Sequence, residues 1–320
     1  MRSPRIGYRV TALVAGLLLV GTACGSTSPT GSDAATEQTR TVQTAMGPVD
    51  VPATPERVVV LDIGELDSLL TLGVKPVGAV RAAVSEGFPD YLPGSTEGIK
   101  IVGTIGSPDL EAIHALNPDL ILSSKTRDED HYEDLKRIAP TVLAERVGGV
   151  WQENFLLDAE AIGKKAEAEK VLADFDARAK EIGTKLGDPS SITASVLRFT
   201  GTEIRAYCQA SFLGTILTKV GFARPASQSS SGSCESTNGT WSPVSPEKLT
   251  EADGDYLFWS TYGPVDKSKE PQTTASPLWK SLKAVANGTA PRVNDDYWFT
   301  GVGPSAAQHV LDDMDTLFSK

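Results

Sequence analysis

The sequence predicts an α/β fold of two lobes with largely parallel sheets, joined by a single long helix. Short apolar runs alternate with segments of helical periodicity in both halves of the chain, as where Arg57–Leu61 precedes Glu65–Leu72. Between the halves, Gln152–Leu186 contains no proline, and its apolar residues recur every three or four positions. A helix of that length spans roughly 50 Å, which exceeds the width of one small lobe and suits a strut between two.

The first 45 residues are predicted to lie outside the folded body. Arginines precede the apolar run Val10–Val20, and small residues then lead to Cys24. This pattern predicts a lipoprotein signal over residues 1–23, with Cys24 acylated after cleavage; the alternatives are a plain secretory signal or an uncleaved anchor. Residues 24–45 are small and polar, which predicts a flexible tether.

Residues 46–150 are predicted to form the N-terminal lobe. Pro108 and Asp109 after Ser107 have the composition of a helix start, with Ser107 as the N-cap. The other elements expected in this lobe are strands at Arg57–Leu61, Pro76–Val80, Ile99–Val102 and Leu120–Leu122, and helices at Glu65–Leu72 and Asp128–Ala139.

Residues 151–187 are predicted to be the connecting helix, and residues 188–320 the C-terminal lobe. A Ser245-Pro246-Glu247 helix start parallels the one at Ser107 and indicates that the two lobes are related. The other elements expected here are strands at Ala194–Phe199, Glu203–Tyr207 and Asp255–Trp259, and helices at Phe212–Val220, Pro277–Val285 and Pro304–Phe318.

Charge and cysteine content limit the partners. A formal net charge of −11 argues against nucleic acid or an anionic bilayer as the ligand. After Cys24, only Cys208 and Cys234 remain, and an even pair in an exported protein predicts one disulfide. Only three histidines are present, without a G-x-S-x-G or H-E-x-x-H motif, so we expect no enzyme.

Motifs in order along some 260 residues make the chain resemble the substrate-binding proteins of iron-siderophore ABC importers. The stretches that carry this resemblance are Thr54–Leu61, Leu69–Gly78, Val102-Gly103, Asp109–Ile113, Asn117–Ile121, Ile138–Thr141, Ser211–Leu217, Pro277–Leu282 and Val310–Asp313. The resemblance implies two Rossmann-like lobes with a ligand cleft between them. It also implies a ferric siderophore as ligand, with no cofactor and no protein ligand to a metal.

Arginines at strand ends are the candidate ligand donors, because their planar N–H groups suit chelate oxygens. Arg127 and Arg198 match positions that commonly contact the ligand in the family, whereas Arg81 is placed by topology; Arg205 is a weaker candidate. The candidate aromatic wall consists of Tyr207, Phe212, Tyr262 and Trp298, while Trp151, Trp241 and Trp279 are expected to be structural.

The resemblance also implies a delivery route. Glu111 and Glu247 match the two acids, one on each lobe, that meet arginines of the permease subunits in the family. The expected protein is a monomer, lipid-anchored on the extracytoplasmic face and working with a permease and its ATPase. Haem or cobalamin remains an alternative ligand, and a non-transport surface lipoprotein a remote one; few histidines argue against bare Zn²⁺ or Mn²⁺. The particular siderophore stays open.

Overall fold

Two sheets with helices packed on them form the two lobes in the computed structural model, which describes residues 38–229, 234 and 239–318. The predicted signal, Cys24 and most of the tether lie outside the described residues. Within the described ranges, no helix is both long enough and apolar enough to cross a membrane. The strands are β1 (Thr39–Thr44), β2 (Gly47–Pro52), β3 (Val58–Val60), β4 (Gly78–Arg81), β5 (Lys100–Thr104), β6 (Ser107–Pro108), β7 (Leu120–Ser124), β8 (Thr141–Ala144), β9 (Ala194–Phe199), β10 (Ile204–Tyr207), β11 (Trp241–Val244) and β12 (Tyr256–Thr261).

Helices alternate with these strands along the chain and pack against the sheets. The α-helices are α1 (Ile63–Thr71), α2 (Leu110–Ala115), α3 (Lys125–Asp128), α4 (Tyr132–Ile138), α5 (Trp151–Ala161), α6 (Lys165–Lys185), α7 (Phe212–Val220), α8 (Glu270–Ala275), α9 (Pro277–Ser281), α10 (Lys283–Ala286) and α11 (Pro304–Phe318). A π-helical turn spans Asp296–Thr300, and short 3₁₀ turns include Pro246–Ala252.

The N-terminal lobe contains a six-stranded sheet in the order β6-β5-β4-β3-β7-β8, parallel except for the β5–β6 pair. Its central strand is buried on both faces, since Val58 and Val60 pack with α1 and α5 while Val59 packs with α2 and α4. Parallel strands place their carboxyl ends at one edge, and that edge faces the other lobe. The predicted parallel α/β arrangement is therefore confirmed in this lobe.

The C-terminal lobe has a four-stranded sheet in the order β11-β10-β9-β12. Only β9 and β12 are parallel, while β9–β10 and β10–β11 are antiparallel pairs. This sheet differs from the largely parallel one expected, because only four residues separate β9 from β10. So short a connection can join antiparallel neighbours only, since a parallel pair needs a crossover of a dozen residues or more.

The expected long connecting helix is confirmed as α6, but the predicted range 151–187 contains two helices rather than one. α5 ends at Ala161, and α6 begins at Lys165 and runs for 21 residues, about 32 Å. The break lies at Gly163, whose φ of +76° is left-handed, and the Arg40 guanidinium occupies the space that a Cβ would take there. α6 still joins the lobes, because Ala168 packs in the N-terminal core and Ile182 in the C-terminal core.

The predicted tether is shorter than expected. Residues 39–44 form β1, which pairs antiparallel with β2. The hairpin is anchored by Val42 and Val51, both fully buried in the N-terminal core. Alternation of one buried valine with polar residues is enough for a strand on the lobe surface, so the polar composition was misleading here.

The two helix starts that resemble each other differ from the prediction in detail. Ser107 and Pro108 form β6, and the N-cap of α2 is Asp109, whose side chain accepts a hydrogen bond from the Ala112 N–H at 3.0 Å. At Ser245 the following turn is 3₁₀ rather than α, without a side-chain cap. The predicted helix Pro277–Val285 is divided at Leu282 into α9 and α10.

A second link between the lobes involves the last helix. The buried Asp67 carboxylate on α1 accepts the Ser305 and Ala306 N–H groups at the start of α11, each at 2.9 Å. It also accepts the Tyr91 and Thr71 hydroxyls, at 3.2 and 3.1 Å. A carboxylate from the first lobe thus satisfies the otherwise unpaired N–H groups of the final helix.

Candidate functional site

A cleft of about 730 Å³ lies between the lobes. The N-terminal lobe contributes residues that follow the carboxyl ends of β4, β7 and β8, where a parallel sheet places its ligand-binding groups. The C-terminal lobe contributes the β9–β10 turn, the segments after β10 and β12, and the π-helical turn. The polar and aromatic lining residues are Thr126, Arg127, Arg146, Arg198, Thr200, Thr202, Arg205, Tyr207, Ser211, Phe212, Thr240, Trp241, Tyr262, Trp298, Phe299 and Thr300.

Arg127 lies at the floor of the cleft, in α3 directly after β7, rather than in the loop that was expected. Its Nε–H donates to the Asp62 carboxylate at 2.6 Å, and that negative charge raises the pKa of Arg127 above its ordinary value. Both terminal nitrogens lack a hydrogen-bond partner among the described residues. Arg127 is therefore held in one orientation with four N–H groups available to a ligand.

Arg198, at the carboxyl-terminal part of β9, is the most confined arginine of the cleft and is only 7% exposed. Its guanidinium binds both carboxylate oxygens of Asp295 and the Thr300 hydroxyl. The Tyr262 and Phe299 rings lie over it, with centroids 4.5 and 5.2 Å from Cζ. Since these contacts occupy Nε and Nη2, and Nη1 donates to the Tyr207 hydroxyl at 3.5 Å, Arg198 mainly orients the wall and has one Nη1 N–H left for a ligand.

Burial alone would lower the pKa of Arg198, but Tyr207 and Asp295 outweigh it and raise the pKa above its ordinary value. Tyr207 contributes through its hydroxyl, which lies 3.5 Å from Nη1. The Tyr207 ring also packs edge-on against Phe299, with centroids 5.0 Å apart. Three aromatic rings therefore surround one fixed cation.

Arg205 and Trp241 form a second stacked pair on the same wall. The Arg205 Cζ lies 4.2 Å from the Trp241 ring centroid, and its Nε donates to Glu203 at 2.9 Å. β10 and β11 place the two residues on neighbouring strands. Trp241, expected to be structural, thus lines the cleft instead.

Arg146 was missed by the sequence analysis. It follows β8, a four-residue strand directly after Pro140 that the sequence did not distinguish from a loop. The strand Thr141–Ala144 is buried throughout, and its carboxyl end places the next residues at the edge of the cleft. Its guanidinium forms no ion pair or hydrogen bond with any described residue.

Arg81 does not reach the cleft, so its prediction as a ligand donor is wrong. It ends β4, but its guanidinium turns onto its own loop and donates to the carbonyl oxygens of Ala82 and Ser85. Arg81 does lie at the end of a strand as predicted, but its side chain points toward the nearby backbone carbonyls that it binds. Ala82 borders the cleft in its place.

Trp298 lies at the cleft wall as predicted, but it belongs to the π-helical turn, and its side chain is fully buried rather than exposed on a loop. Its indole stacks on Phe258, and Nε1–H donates to Asp313 at 2.8 Å. The neighbouring Phe299 supplies the aromatic surface instead. Phe212 borders the cleft but is only 4% exposed and packs edge-on against Trp151, so most of its ring belongs to the core.

The Cys208–Cys234 disulfide is confirmed, with Cα atoms 6.0 Å apart. Cys208 directly follows β10, and its N–H donates to the Thr240 carbonyl at 3.0 Å. Tyr207 and Trp241, on either side of this contact, both line the cleft. The disulfide therefore fixes the base of the aromatic wall.

A group of buried carboxylates lies behind Arg127. Glu65 and Asp158 are 4% and 3% exposed, and both border a small cavity together with Asp62. Burial raises the pKa of Asp158 to about 7, and burial and the neighbouring Asp62 and Asp158 charges raise that of Glu65. The Glu65 Oε2 atom lacks a hydrogen-bond partner among the described residues. Two carboxyl groups whose pKa values are raised by burial therefore lie beside Asp62, the carboxylate that orients Arg127.

Glu111 and Glu247, the expected docking acids, are exposed and lie in the first turns of α2 and of the Pro246–Ala252 turn. Neither forms an ion pair with a described residue. Within the described ranges, no three histidine, cysteine or carboxylate side chains are grouped so that they could hold a metal ion.

Comparison with known proteins places this geometry in context. Residues 58–292 match a protein family described as "Periplasmic binding protein". The chain is 43% identical to the "Probable siderophore-binding lipoprotein YfiY" of Bacillus subtilis over 95% of each protein. It is 29% identical to the "Fe(3+)-citrate-binding protein YfmC" of the same organism over 93% of each.

A solved structure agrees with the fold as well. Staphylococcus aureus SirA complexed with staphyloferrin B superposes with a TM-score of 0.79 at 29% identity, covering 88% of this chain and 98% of that one. The agreement extends over both lobes.

Proposed function

Because this chain belongs to the periplasmic binding protein family, we propose that it binds a ferric siderophore outside the cytoplasmic membrane and delivers it to an ABC permease. Proteins named for siderophore and ferric-citrate binding are similar to it over nearly its whole length. Members of this group bind a substrate for transport, so the chemistry required is recognition and release. No covalent bond of the ligand has to form or break.

The observation that carries the proposal is the cleft itself, where arginines from both lobes and aromatic rings from the C-terminal lobe face one space of about 730 Å³. Small-molecule sites commonly measure about 300–1,000 Å³, so a compact chelate fits this one. Arg127 presents four N–H groups to chelate oxygens, while Tyr262 and Trp241 offer flat apolar surface to the ligand backbone.

The site is largely formed before the ligand arrives. Asp62 orients Arg127, Asp295 orients Arg198, and the disulfide holds the segment between β10 and α7. α6 and the Asp67 contact with α11 connect the lobes at two places, which limits hinge motion between them. Ordering costs on binding are correspondingly small.

Anchoring and delivery complete the proposal. Acylation of Cys24 would hold a monomer at the outer face of the membrane, in keeping with the relatives named as lipoproteins. Glu111 and Glu247 would contact basic residues of the two permease subunits. Their exposure and their lack of ion pairs with described residues support this role.

The test of ligand class is tryptophan fluorescence of the purified protein titrated with ferric siderophores, ferric citrate, haemin and cobalamin. We expect saturable quenching by a ferric chelate, weakened at least tenfold in affinity by Arg127→Ala. Arg137→Ala, an exposed arginine on α4, is the matched control. Trp241→Phe should reduce the quenching amplitude, because Trp241 lines the cleft.

Saturation by haemin or cobalamin alone would replace the ligand class and keep the fold. No saturable response to any compound would refute the proposed function. Delivery is tested separately by radioactive iron uptake in cells carrying Glu111→Lys with Glu247→Lys. Uptake should fall while ligand affinity stays constant, and Glu169→Lys on α6 should change neither.

A further inference from the structure

The cleft has a charge composition opposite to that of the chain. The protein carries a formal net charge of −11, yet among the residues that the structure describes, four arginines and no carboxylate line the cleft. The arginines are Arg127, Arg146, Arg198 and Arg205. The carboxylates that pair with three of these arginines, Asp62, Asp295 and Glu203, are not among the residues that line the cleft.

Three of these cations are neutralised locally. Arg127 is paired with Asp62 at 2.6 Å, Arg198 with Asp295, and Arg205 with Glu203 at 2.8 Å. Their pairs contribute fixed N–H donors but little net charge. Such donors bind chelate oxygens whether the whole chelate is neutral or charged.

Arg146 differs from the other three. It is exposed, lines the cleft and has no ion-pair or hydrogen-bond partner among the described residues. The adjacent Glu145 is paired instead with Lys125, at 3.2 Å. Arg146 therefore supplies the net positive charge of the cleft.

From this arrangement, and given the proposed function, we propose that the ligand is a ferric chelate with net negative charge and that Arg146 is the residue that selects for this charge. An unpaired guanidinium at the cleft edge attracts an anion during approach and forms a charge-assisted hydrogen bond after it binds. The paired arginines then determine its orientation.

The chelates that fit this site share a negative charge that remains on their oxygen atoms after Fe³⁺ has been coordinated. Three singly charged hydroxamates balance Fe³⁺ and leave a neutral complex, whereas three doubly charged catecholates leave a trianion. Citrate-type ligands leave free carboxylates. Carboxylate and catecholate are therefore two sources of the same negative charge, and a neutral trihydroxamate is the discriminating probe.

The experiment measures dissociation constants of the full-length protein in detergent for ferric citrate, a ferric tris-catecholate and a neutral ferric trihydroxamate. It compares wild type with Arg146→Gln, Arg146→Lys and the surface control Arg137→Gln. Titrations at about 0.01 M and about 0.15 M salt exploit the change in screening length from roughly 30 to 8 Å.

We expect at least one anionic chelate to bind tenfold or more tightly than the neutral one. Arg146→Gln should weaken that binding about tenfold at low salt and reduce its salt dependence, while affinity for the neutral chelate changes less than twofold. Arg146→Lys should retain the salt dependence, and Arg137→Gln should behave as wild type. Which anionic probe binds identifies carboxylate or catecholate as the source.

Three results would overturn the inference. If the neutral chelate binds as tightly as the anionic ones, or Arg146→Gln weakens all chelates equally, charge selection fails while the proposed function stands. If no ferric chelate binds wild-type protein, the proposed function fails and charge selection fails with it.

Discussion

Replacing Arg198 with methionine should destabilise the protein by about 3 kcal/mol. Arg198 is 7% exposed, and the Asp295 side chain that it binds is 19% exposed. Removing one partner of a buried ion pair costs about 3–5 kcal/mol, because the remaining charge stays desolvated. The partial exposure of Asp295 places this pair at the lower end of that range.

The assay is urea unfolding followed by circular dichroism, together with thermal unfolding. A loss of about 3 kcal/mol corresponds to a decrease of about 6 °C in the melting temperature of a chain of this size. The double variant Arg198→Met with Asp295→Leu removes both charges and should recover stability to within about 1 kcal/mol of wild type.

The control is Arg137→Met, which breaks an exposed pair with Asp134 and should cost less than about 0.5 kcal/mol. A loss below about 1 kcal/mol for Arg198→Met would show that the pair is not effectively buried. A double variant no more stable than the single one would show that the cost comes from packing against Tyr262 and Phe299 rather than from the Asp295 charge.

Three further variants test features outside the arginine pairs. Burial raises the pKa of Asp158 to about 7, so the stability that protonated Asp158 contributes is present below about pH 4 and is lost as the pH rises through 7. Over that range the free energy of unfolding of Asp158→Asn should rise by up to about 4 kcal/mol relative to that of wild type, as measured by urea unfolding at several pH values. Cys234→Ser opens a link of sequence separation 26 and should cost about 3.5 kcal/mol, measured under non-reducing conditions. Gly163→Ala should cost about 1–2 kcal/mol, because its φ is +76° and its Cβ would lie 2.6 Å from Arg40 Nη1.

Each variant has its own contradicting outcome. A pH-independent difference for Asp158→Asn would mean that the carboxyl titrates normally. Equal stability of oxidised and reduced wild-type protein would remove the contribution assigned to the disulfide. If Gly163→Ala is as stable as wild type, the helix break has another cause. Gly183→Ala cannot serve as the control for this variant, because a Cβ at Gly183 would clash with the Val220 carbonyl.

Elements with strong local signals were predictable from the sequence. β9, α7 with its Gly221 cap and α11 with Pro304 at its first position have the predicted bounds. Apolar pattern alone defines β9, while in the two helices it agrees with a local end signal, Gly221 at the end of α7 and Pro304 at the start of α11. The α/β class follows from these segments.

Elements determined by distant contacts were not predictable in the same way. Gly163 is compatible with a continuous helix, and the Arg40 side chain occupies the space beside it only in the folded protein. The β1–β2 hairpin depends on Val42 and Val51 finding the N-terminal core, although the segment around them is polar.

The candidate site shows the same division. Topology brought Arg127 and Arg198 to the cleft correctly, since strand ends meet there. The direction of a side chain depends on its partners: Ser85 diverts Arg81, and Asp313 buries Trp298. Arg146 was missed because β8 is too short to show a pattern.

The contact between Asp67 and α11 has a consequence for how the polypeptide is made. Its partners Ser305 and Ala306 lie 238 and 239 residues further along the chain. At about 5–20 residues per second, the ribosome supplies them roughly 12 to 48 s after Asp67. Until then the Asp67 carboxylate lacks its two backbone donors and has only the Tyr91 and Thr71 hydroxyls. The contact of Asp67 with α11, which links the two lobes, can therefore form only after the final helix has been synthesised.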